Sequence, residues 1–340
     1  MDPINFTDDP VNASTSARNS SHLPAPASKV IIALPLFLSF IIGTITNGLY
    51  LWVLKLKMQK TVNTLLFFHL ILSYFISTLI LPFMATASLQ DNHWAFGAVL
   101  CKLFNGTLSL GMFSSVFFLS AISLDRYLLT FHPVWSHQHR TPRWAACIVL
   151  GVWISASALS MPYLVFRETH RDHKGRVTCR NNYAVSANWE SKAKQALRHR
   201  IHAACFISRF LLGFLLPFFI ILFCYQRVAS KMKEKGLFKS RKPFKVMMTA
   251  IFSFFVCWMP YHVHQGLLLA ENQPLLLQWT LIITVVTVSF NTVFSPTLYL
   301  LTGENFKNVF KKSILALFES TFSDISSAER TQNLYSIAQI

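Results

Sequence analysis

Seven long apolar runs constrain this chain more than any other feature of its sequence. They lie at roughly residues 30–54, 63–88, 98–131, 144–165, 201–226, 244–269 and 275–301. Each is long enough to cross a bilayer, because about 20 apolar residues in a helix cover the ~30 Å of hydrocarbon. The third run has no charged residue from Leu103 to Leu124. We therefore expect an all-α membrane protein, a seven-transmembrane-helix bundle packed around the third helix.

The composition agrees with a membrane protein and argues against nucleic-acid binding. Hydrophobic residues make up 53% of the chain and charged residues only 13%, whereas soluble domains average about 25% charged residues. The net charge of +17 is typical of nucleic-acid partners, but the basic residues here lie at the ends of apolar runs. Residues 1–28 are polar and lack the apolar core of a cleavable signal peptide. The first span is therefore expected to direct insertion into the lipid bilayer.

The loops between the runs predict the orientation in the membrane. Three, two, eight and three basic residues follow the first, third, fifth and seventh runs, whereas the segments 89–97 and 270–274 have none. Basic loops favour the cytoplasmic side, which predicts a plasma-membrane protein with an extracellular N-terminus and a cytoplasmic C-terminus. The loop at 166–200 disagrees, with nine basic and three acidic residues. Three N-glycosylation patterns nevertheless support an extracellular N-terminal tail. These patterns begin at Asn5, Asn12 and Asn19.

The chain divides into four predicted units. An extracellular glycosylated tail covers residues 1–29, and the seven-helix domain covers 30–303. Residues 304–318 alternate apolar and basic positions at helical spacing, which is typical of an amphipathic helix lying on the inner leaflet. Residues 319–340 are polar and are expected to form a disordered cytoplasmic tail with several phosphorylatable serines and threonines.

The six cysteines fall into two groups. Four lie inside apolar runs, where we interpret them as small buried hydrophobic residues. Cys101 and Cys179 flank apolar runs on one side of the membrane. If that side is extracellular, a disulfide between them is expected, and two free thiols are the alternative.

Motifs in six of the seven runs resemble those of the rhodopsin-like G-protein-coupled receptors, and the resemblance covers residues 30–318. The residues that carry it are Asn47, Cys101 with Cys179, Asp125-Arg126-Tyr127, Trp153, Pro217 with Tyr225, Cys257-Trp258-Met259-Pro260 and Ser295-Pro296-Thr297-Leu298-Tyr299. Finer features are similar to the chemoattractant branch, which holds the formyl-peptide, anaphylatoxin and chemerin receptors. They are Val62-Asn63-Thr64, Trp94-Ala95-Phe96-Gly97, Leu124-Asp125-Arg126-Tyr127 and Arg209-Phe210 ahead of Gly213-Phe214.

The resemblance implies a receptor that binds an extracellular ligand and activates a heterotrimeric G protein of the inhibitory class. It also implies arrestin as a partner of the phosphorylated tail. Chemotaxis is the biological process associated with this branch. No catalytic motif, phosphate loop or metal-binding pattern occurs in the sequence, so we expect no enzymatic activity, no cofactor and no metal ion.

The resemblance also implies an activation switch. Asp125 and Arg126 are expected to pair at the cytoplasmic end of the third helix at rest, and release of Arg126 would let its guanidinium meet a partner protein. Tyr225 and Tyr299 would then swing toward Arg126. The two prolines Pro260 and Pro296 are expected to kink helices six and seven. The other residues of the predicted switch are Tyr127, Phe254, Trp258 and Ser295.

Arg209 is the most informative residue for the charge of the ligand. An arginine inside a spanning run is costly and needs a partner or a water-lined cavity. Of the 14 acidic residues, only Asp125 falls within a run, at the opposite end. We predict that Arg209 faces the ligand cavity and binds an anionic group such as a peptide carboxylate. The alternative is an arginine satisfied by backbone carbonyls and water.

The remaining pocket residues follow from the resemblance and helical spacing. Leu108 stands where amine receptors of the family carry an aspartate, which argues against a cationic amine ligand. The other predicted pocket residues are Phe113, Trp258, Tyr261 and Gln265.

Two departures from the family pattern alter its sodium site. Tyr74 stands in place of an aspartate in the second helix, and Ser295 in place of an asparagine in the seventh. Ser115 is a further contributor in the family. A sodium ion at this site would lack its charged partner, so we predict that sodium does not modulate ligand binding.

Two alternatives to a signalling receptor follow from the same residues. A decoy or scavenger receptor with weak or no G-protein coupling is consistent with Tyr74 and Ser295, although the intact Asp125-Arg126-Tyr127 argues against it. A transporter or channel is disfavoured because the sequence has no inverted repeat and no intramembrane acids suited to an ion relay.

Overall fold

The computed structural model describes residues 25–172, 175–183, 192–234, 242–270, 274–301, 306–316 and 319. The predicted glycosylation sites Asn5, Asn12 and Asn19 and the tail beyond residue 319 lie outside these ranges. The helices in chain order are α1 (Ala25–Leu56), α2 (Val62–Thr78), α3 (Leu81–Leu89), α4 (Gly97–Phe131), α5 (Pro133–His139), α6 (Pro142–Val165), α7 (Lys192–Phe210), α8 (Leu216–Glu234), α9 (Lys242–Ala270), α10 (Pro274–Leu301) and α11 (306–316).

Six helical segments within the described ranges are long and apolar enough to cross a membrane. They are Lys29–Leu56, Val62–Leu89, Gly97–Phe131, Pro142–Val165, Lys194–Glu234 and Leu275–Leu298. Helix α9, of 29 residues, covers the remaining predicted run and packs along α10. The helical membrane bundle expected from the sequence is therefore confirmed.

Helix α4 is the most buried of these segments. Two thirds of its most apolar window (67%) are buried, against 22–44% in the other five. It contacts α2, α6 and α8 and contributes Phe113, Val116, Phe118 and Leu119 to the main hydrophobic cluster. The spans that contain α2, α6 and α8 thus pack directly against α4.

Prolines and threonine caps set several helix ends. The hydroxyls of Thr61 and Thr141 each accept a hydrogen bond of 3.2 Å from a backbone N–H in the first turn of α2 and α6, which satisfies groups that otherwise lack a helical partner. Pro82 lies in the first turn of α3, where its missing N–H costs least. The second span is consequently two helices, α2 and α3, rather than one.

The fifth span contains a π-helical turn, Leu211–Leu215, between α7 and α8. Pro217 follows this turn and cannot donate to the carbonyl four residues before it, because proline has no N–H. Widened turns of this kind occur mostly as single insertions inside α-helices. The turn separates the part of the span that carries Arg209 from the part that carries Tyr225.

The segment at 166–200 has more structure than the sequence predicts. Two antiparallel strands, β1 (Arg167–Arg171) and β2 (Val177–Asn181), form a hairpin. Helix α7 begins at Lys192, nine residues before the predicted start of the fifth run. Residues 192–200 are mostly good helix formers but are too polar to extend an apolar run.

Helix α11 packs against α1 at the end of the described chain. The rings of Phe306 and Phe310 lie 6.0 and 5.4 Å from that of Tyr50, whereas Lys307 and Lys311 are exposed. This two-sided helix corresponds to the one predicted at 304–318. Its place on the inner leaflet stays a prediction.

Candidate functional site

The hairpin is fastened to the start of α4 by a disulfide between Cys101 and Cys179, as expected. The Nε of Arg167 donates to the sulfur of Cys179 at 3.2 Å, and Trp94 belongs to the same hydrophobic cluster as both cysteines. The described free cysteines are Cys147, Cys205, Cys224 and Cys257; three of them are buried, but Cys147 is exposed on α6.

A cavity opens among α1, α3, α4, α9 and α10. Its volume is about 50 Å³, taken as the space that the centre of a water molecule can reach, and it is partly open to solvent. Its residues are mostly apolar, with a few hydroxyls and one amide. They are Leu36, Leu81, Met84, Asn105, Leu108, Ser109, Met112, Trp258, Tyr261, Thr284, Val285, Val288 and Ser289.

Three of the predicted pocket residues border this cavity and three do not. Leu108, Trp258 and Tyr261 are in its wall. Phe113 is 1% exposed and packs in the main core beside Phe117. Arg209 and Gln265 are also buried but are absent from the wall of this cavity. Arg209 therefore does not face this cavity directly, contrary to our expectation for a ligand cavity.

Arg209 lies immediately behind two hydroxyls of the cavity wall. Its guanidinium donates to the hydroxyl of Tyr261 and, at 3.2 Å, to that of Ser109. Its central carbon stands 3.6 Å from the ring centroid of Tyr163, a cation–π contact. Tyr163 in turn donates to the Cys205 carbonyl at 2.8 Å. Side chains from α4, α6 and α9 thus surround the arginine.

No described carboxylate forms a salt bridge with Arg209, although its side chain is almost fully buried, with 5% of its surface exposed. Within the described part of the chain, the Nε of Arg209 has no hydrogen-bond partner. On α9, both ring nitrogens of His262 and the amide nitrogen of Gln265 are likewise buried without a partner among the described residues. The buried guanidinium charge of Arg209 is therefore matched by hydroxyls and an aromatic ring, but by no carboxylate of the described residues.

At the predicted sodium site, protein groups bind one another. Ser295 donates to the side-chain oxygen of Asn291 at 2.5 Å, and Ser115 donates to the Met112 carbonyl at 3.0 Å. Tyr74 is buried, with 3% of its surface exposed. Among the described residues, no group of three histidines, cysteines or acids is arranged to hold a metal ion.

At the other end of α4, Asp125 binds Arg140 and not Arg126. The Nε and NH2 nitrogens of Arg140 lie 2.7 and 3.0 Å from the two oxygens of Asp125, and NH2 also donates to the side chain of Asn63 at 2.8 Å. Our expected Asp125–Arg126 pair is therefore wrong for this structure. Adjacent residues on a helix point in different directions, whereas Arg140 approaches from the end of α5.

The remaining switch residues are placed as follows. Tyr225 is buried beside Ser123 and Arg126, and Tyr127 stacks on Phe131 at 4.8 Å. Phe254 is fully buried and lies 5.9 Å from Trp258. Pro260 and Pro296 lie inside α9 and α10, and Tyr299 is in α10, but its side chain is outside the described part.

The sequence analysis missed several side chains that hold Arg209 and Arg140 in place. Ser109 and Tyr163 contact Arg209, and Arg140 donates to both Asp125 and Asn63. Asn63 and Arg140 were visible only as a motif member and as a basic loop residue. Arg140 is 15 residues from Asp125 and 77 residues from Asn63 in the sequence, and no local pattern reveals contacts over such separations.

Known proteins resemble this chain over nearly its whole length. The sequence profile described as 7 transmembrane receptor (rhodopsin family) matches residues 46–299. Probable G-protein coupled receptor 33 from Homo sapiens is 79% identical over 332 residues, which cover 98% of this chain and 100% of that protein. The Mus musculus protein of the same name is 71% identical over 340 residues, the full length of both.

A more distant relative has a name that includes a ligand. Chemerin-like receptor 1 from Homo sapiens is 34% identical over 312 residues, which cover 88% of this chain and 83% of that protein. With the family profile and the helical bundle, these matches lead to one conclusion. The chain belongs to the rhodopsin family of seven-transmembrane receptors, multi-pass proteins of the plasma membrane that are G-protein-coupled receptors and not enzymes.

Proposed function

We propose that this receptor binds an anionic extracellular ligand, a peptide or a small acid, and in response activates a heterotrimeric G protein of the inhibitory class. The observation that carries the proposal is Arg209, a buried cation that forms no salt bridge with any described residue. A buried charge without a counter-charge is unfavourable. A ligand anion supplies that counter-charge.

The residues around Arg209 support a ligand site rather than a purely structural arginine. Its guanidinium contacts two hydroxyls that border the cavity, so a negative charge in the cavity would act through them. The stack on Tyr163 holds the arginine in one place. A structural arginine would be expected to bond backbone carbonyls or a carboxylate, and neither bond is found among the described residues.

The charge of the outer loops supports an anion as well. We propose an extracellular N-terminus and a cytoplasmic C-terminus, which puts the segment 166–200 outside with its net charge of +6, from nine basic and three acidic residues. A positive field at the entrance raises the association rate of an anionic ligand. The name of the relative Chemerin-like receptor 1 supports a peptide or protein ligand.

The cytoplasmic end supports G-protein coupling. Asp125 forms its salt bridge with Arg140, so the guanidinium of Arg126 is not bound to the acid that precedes it. An arginine in this state has donors to offer a partner protein. Arrestin is proposed as a second partner, through phosphorylated residues of the C-terminal tail.

G-protein activation in cells tests the proposal. Anionic peptides are applied to the receptor and to Arg126→Ala, Arg209→Gln and Arg200→Gln, where Arg200 is an exposed arginine on the same helix. We expect Arg126→Ala to abolish the response and Arg209→Gln to weaken peptide potency about tenfold or more. Arg200→Gln should change potency far less. Ligand binding at the surface without any G-protein response would favour a decoy receptor instead.

A further inference from the structure

The outer end of α7 is a basic helix that projects beyond the apolar part of its span. Helix α7 begins at Lys192, whereas the apolar run begins at residue 201. The residues 192–200 therefore add about 13 Å of helix outside that run. They contain four cations, Lys192, Lys194, Arg198 and Arg200, and no acidic residue. Lys194 and Arg200 are exposed, and Arg198 is half-buried.

Contacts directly below this extension hold it in place. Ile201 packs against the main hydrophobic cluster, and the ring of His202 stacks on that of Tyr183 at 4.7 Å. One turn further in, the Cys205 carbonyl accepts a hydrogen bond of 2.8 Å from Tyr163. The helix is thus anchored to the bundle where the extension starts, and its basic residues are presented at fixed helical spacing.

The exposed cations point to different sides of the helix. Successive residues of an α-helix are rotated by about 100°, so Lys194 and Arg200, six positions apart, do not share a face. One small anion cannot contact both of them. A long chain with repeated negative charges can follow the helix and reach each in turn, so the arrangement favours a polyanion over a single carboxylate.

Neither helix stability nor membrane insertion accounts for these cations. The N-terminus of a helix favours acidic side chains, yet two lysines, Lys192 and Lys194, occupy the first turn of α7. On the proposed extracellular side they also run against the preference of basic residues for cytoplasmic loops. A basic cluster that both effects disfavour is consistent with a binding role.

The acids of the segment 166–200 leave most of this charge in place. Two of the three bind within the hairpin, where Glu168 accepts from Asn182 at 2.6 Å and Asp172 from Arg176 at 2.9 Å. The third, Glu190, lies outside the described residues. One acid neutralises one cation at most, so the outer end of α7 keeps a net positive charge.

We infer that the outer end of α7, residues 192–200, binds a sulfated glycosaminoglycan chain at the cell surface. The inference rests on the proposed orientation of the receptor and adds a second partner to the proposed anionic ligand. Short clusters of basic residues are typical of heparin-binding patches. The planar fork of an arginine side chain also pairs well with the oxygens of tetrahedral anions. Sulfated polysaccharides are the polyanions that coat the outer face of a plasma membrane.

Binding of a heparin-derived octasaccharide to the full-length receptor in nanodiscs of neutral phosphatidylcholine tests the inference. The controls are the same octasaccharide without its sulfates and a hyaluronan octasaccharide, which carries carboxylates alone. We expect the sulfated probe to bind at least about tenfold more tightly than either control. Its affinity should fall as the salt concentration rises, because bound counterions are released and charges are screened.

The matched variants are Lys194→Gln/Arg200→Gln on α7 and Lys307→Gln/Lys311→Gln on α11, and all four side chains are exposed. Two lost ionic contacts should weaken octasaccharide binding about tenfold. The slope of log affinity against log salt should fall by about 1.5–2. The α11 variant should bind as the unmodified receptor does. Equal melting temperatures of the two variants are expected, because none of the substitutions is in the core.

Intact cells that make no glycosaminoglycan of their own provide the second arm. A labelled octasaccharide should bind to cells that display the receptor, and Lys194→Gln/Arg200→Gln should remove this binding at equal surface expression. If the purified receptor binds the probe but intact cells do not, the basic surface does not face outward and the inference is overturned.

Three further results would overturn it. They are equal binding of the sulfated and desulfated probes, equal losses in the two double variants, and no binding of the octasaccharide at all. If binding fails while Arg209→Gln still weakens an anionic peptide, the inference is refuted and the proposed function stands. If the octasaccharide binds through α7 but no anionic peptide acts through Arg209, the proposed function fails and the glycosaminoglycan surface stands.

Discussion

Arg140 donates to both carboxylate oxygens of Asp125, at 2.7 and 3.0 Å. The acid that precedes Arg126 in the chain therefore forms its salt bridge with Arg140. Asp125 is 2% exposed and its partner 19%. The same arginine bonds Asn63 at the start of α2. Three elements, α2, α4 and the end of α5, are joined at one point on the proposed cytoplasmic side.

Removal of Arg140 should destabilise the receptor, because it leaves a buried carboxylate without its partner. We expect Arg140→Ala to cost up to about 3 kcal/mol of folding free energy, seen as a lower melting temperature in detergent. Adding Asp125→Asn should recover part of the loss. If the two substitutions were strictly additive, the pair would contribute no coupling energy.

Arg140 should also influence basal signalling. Without Arg140, the charge of Asp125 is no longer neutralised next to Arg126, so we expect Arg140→Ala to lower basal G-protein activation per receptor at the surface. The control is Arg143→Ala, which removes an exposed arginine in the first turn of α6. Higher basal activation in Arg140→Ala than in the control would contradict this role.

Sodium should not change agonist affinity. Tyr74 supplies no carboxylate, and Ser295 and Ser115 already donate to protein acceptors. The measurement compares agonist binding in sodium chloride with binding in potassium chloride at equal ionic strength. Tyr74→Asp is the informative variant, since it restores a carboxylate and should introduce sodium sensitivity if the rest of the site can hold the ion.

Gly111 should not tolerate a methyl group. A Cβ there would lie 1.9 Å from the hydroxyl oxygen of Ser77 and 3.2 Å from its Cβ, because α2 and α4 approach closely at this point. We expect Gly111→Ala to cost about 1–3 kcal/mol, measured as reduced melting temperature and surface expression. Ser77→Ala should rescue part of this loss. Gly151→Ala, where nothing lies within 4 Å of the new Cβ, serves as the control.

The ring of Tyr163 should matter more to the ligand site than its hydroxyl. Arg209 stacks on the ring, and the hydroxyl donates to the Cys205 carbonyl at 2.8 Å. Tyr163→Phe should therefore retain most anionic-peptide potency, whereas Tyr163→Leu should lower it about tenfold, as expected for loss of a desolvated cation–π contact. Equal effects of the two substitutions would assign the role to the hydroxyl.

The bundle was predictable because the lengths of apolar runs and the chemistry of loops are local properties of the sequence. The disulfide was predicted from the positions of Cys101 and Cys179, and Leu108, Trp258 and Tyr261, which border the cavity, were predicted from the resemblance and helical spacing. The partners of Arg209 were not predictable, since Tyr261 and Ser109 lie 52 and 100 residues away from it. The expectation about Arg126 failed because a motif gives the order of residues but not the direction in which neighbouring side chains point.

The π-helical turn at Leu211–Leu215 has a consequence for how the two ends of the fifth span relate to each other. One residue more than a regular turn rotates everything before it by about 100° about the helix axis. Arg209 lies just before the turn and Tyr225 well after it. Straightening that single turn would swing the arginine away from Ser109 and Tyr261 while the half with Tyr225 stayed fixed. The direction in which the side chains before the turn point is therefore set independently of the direction of those after it. Adding or removing one residue at the turn would rotate the half that carries Arg209 and leave the half that carries Tyr225 in place.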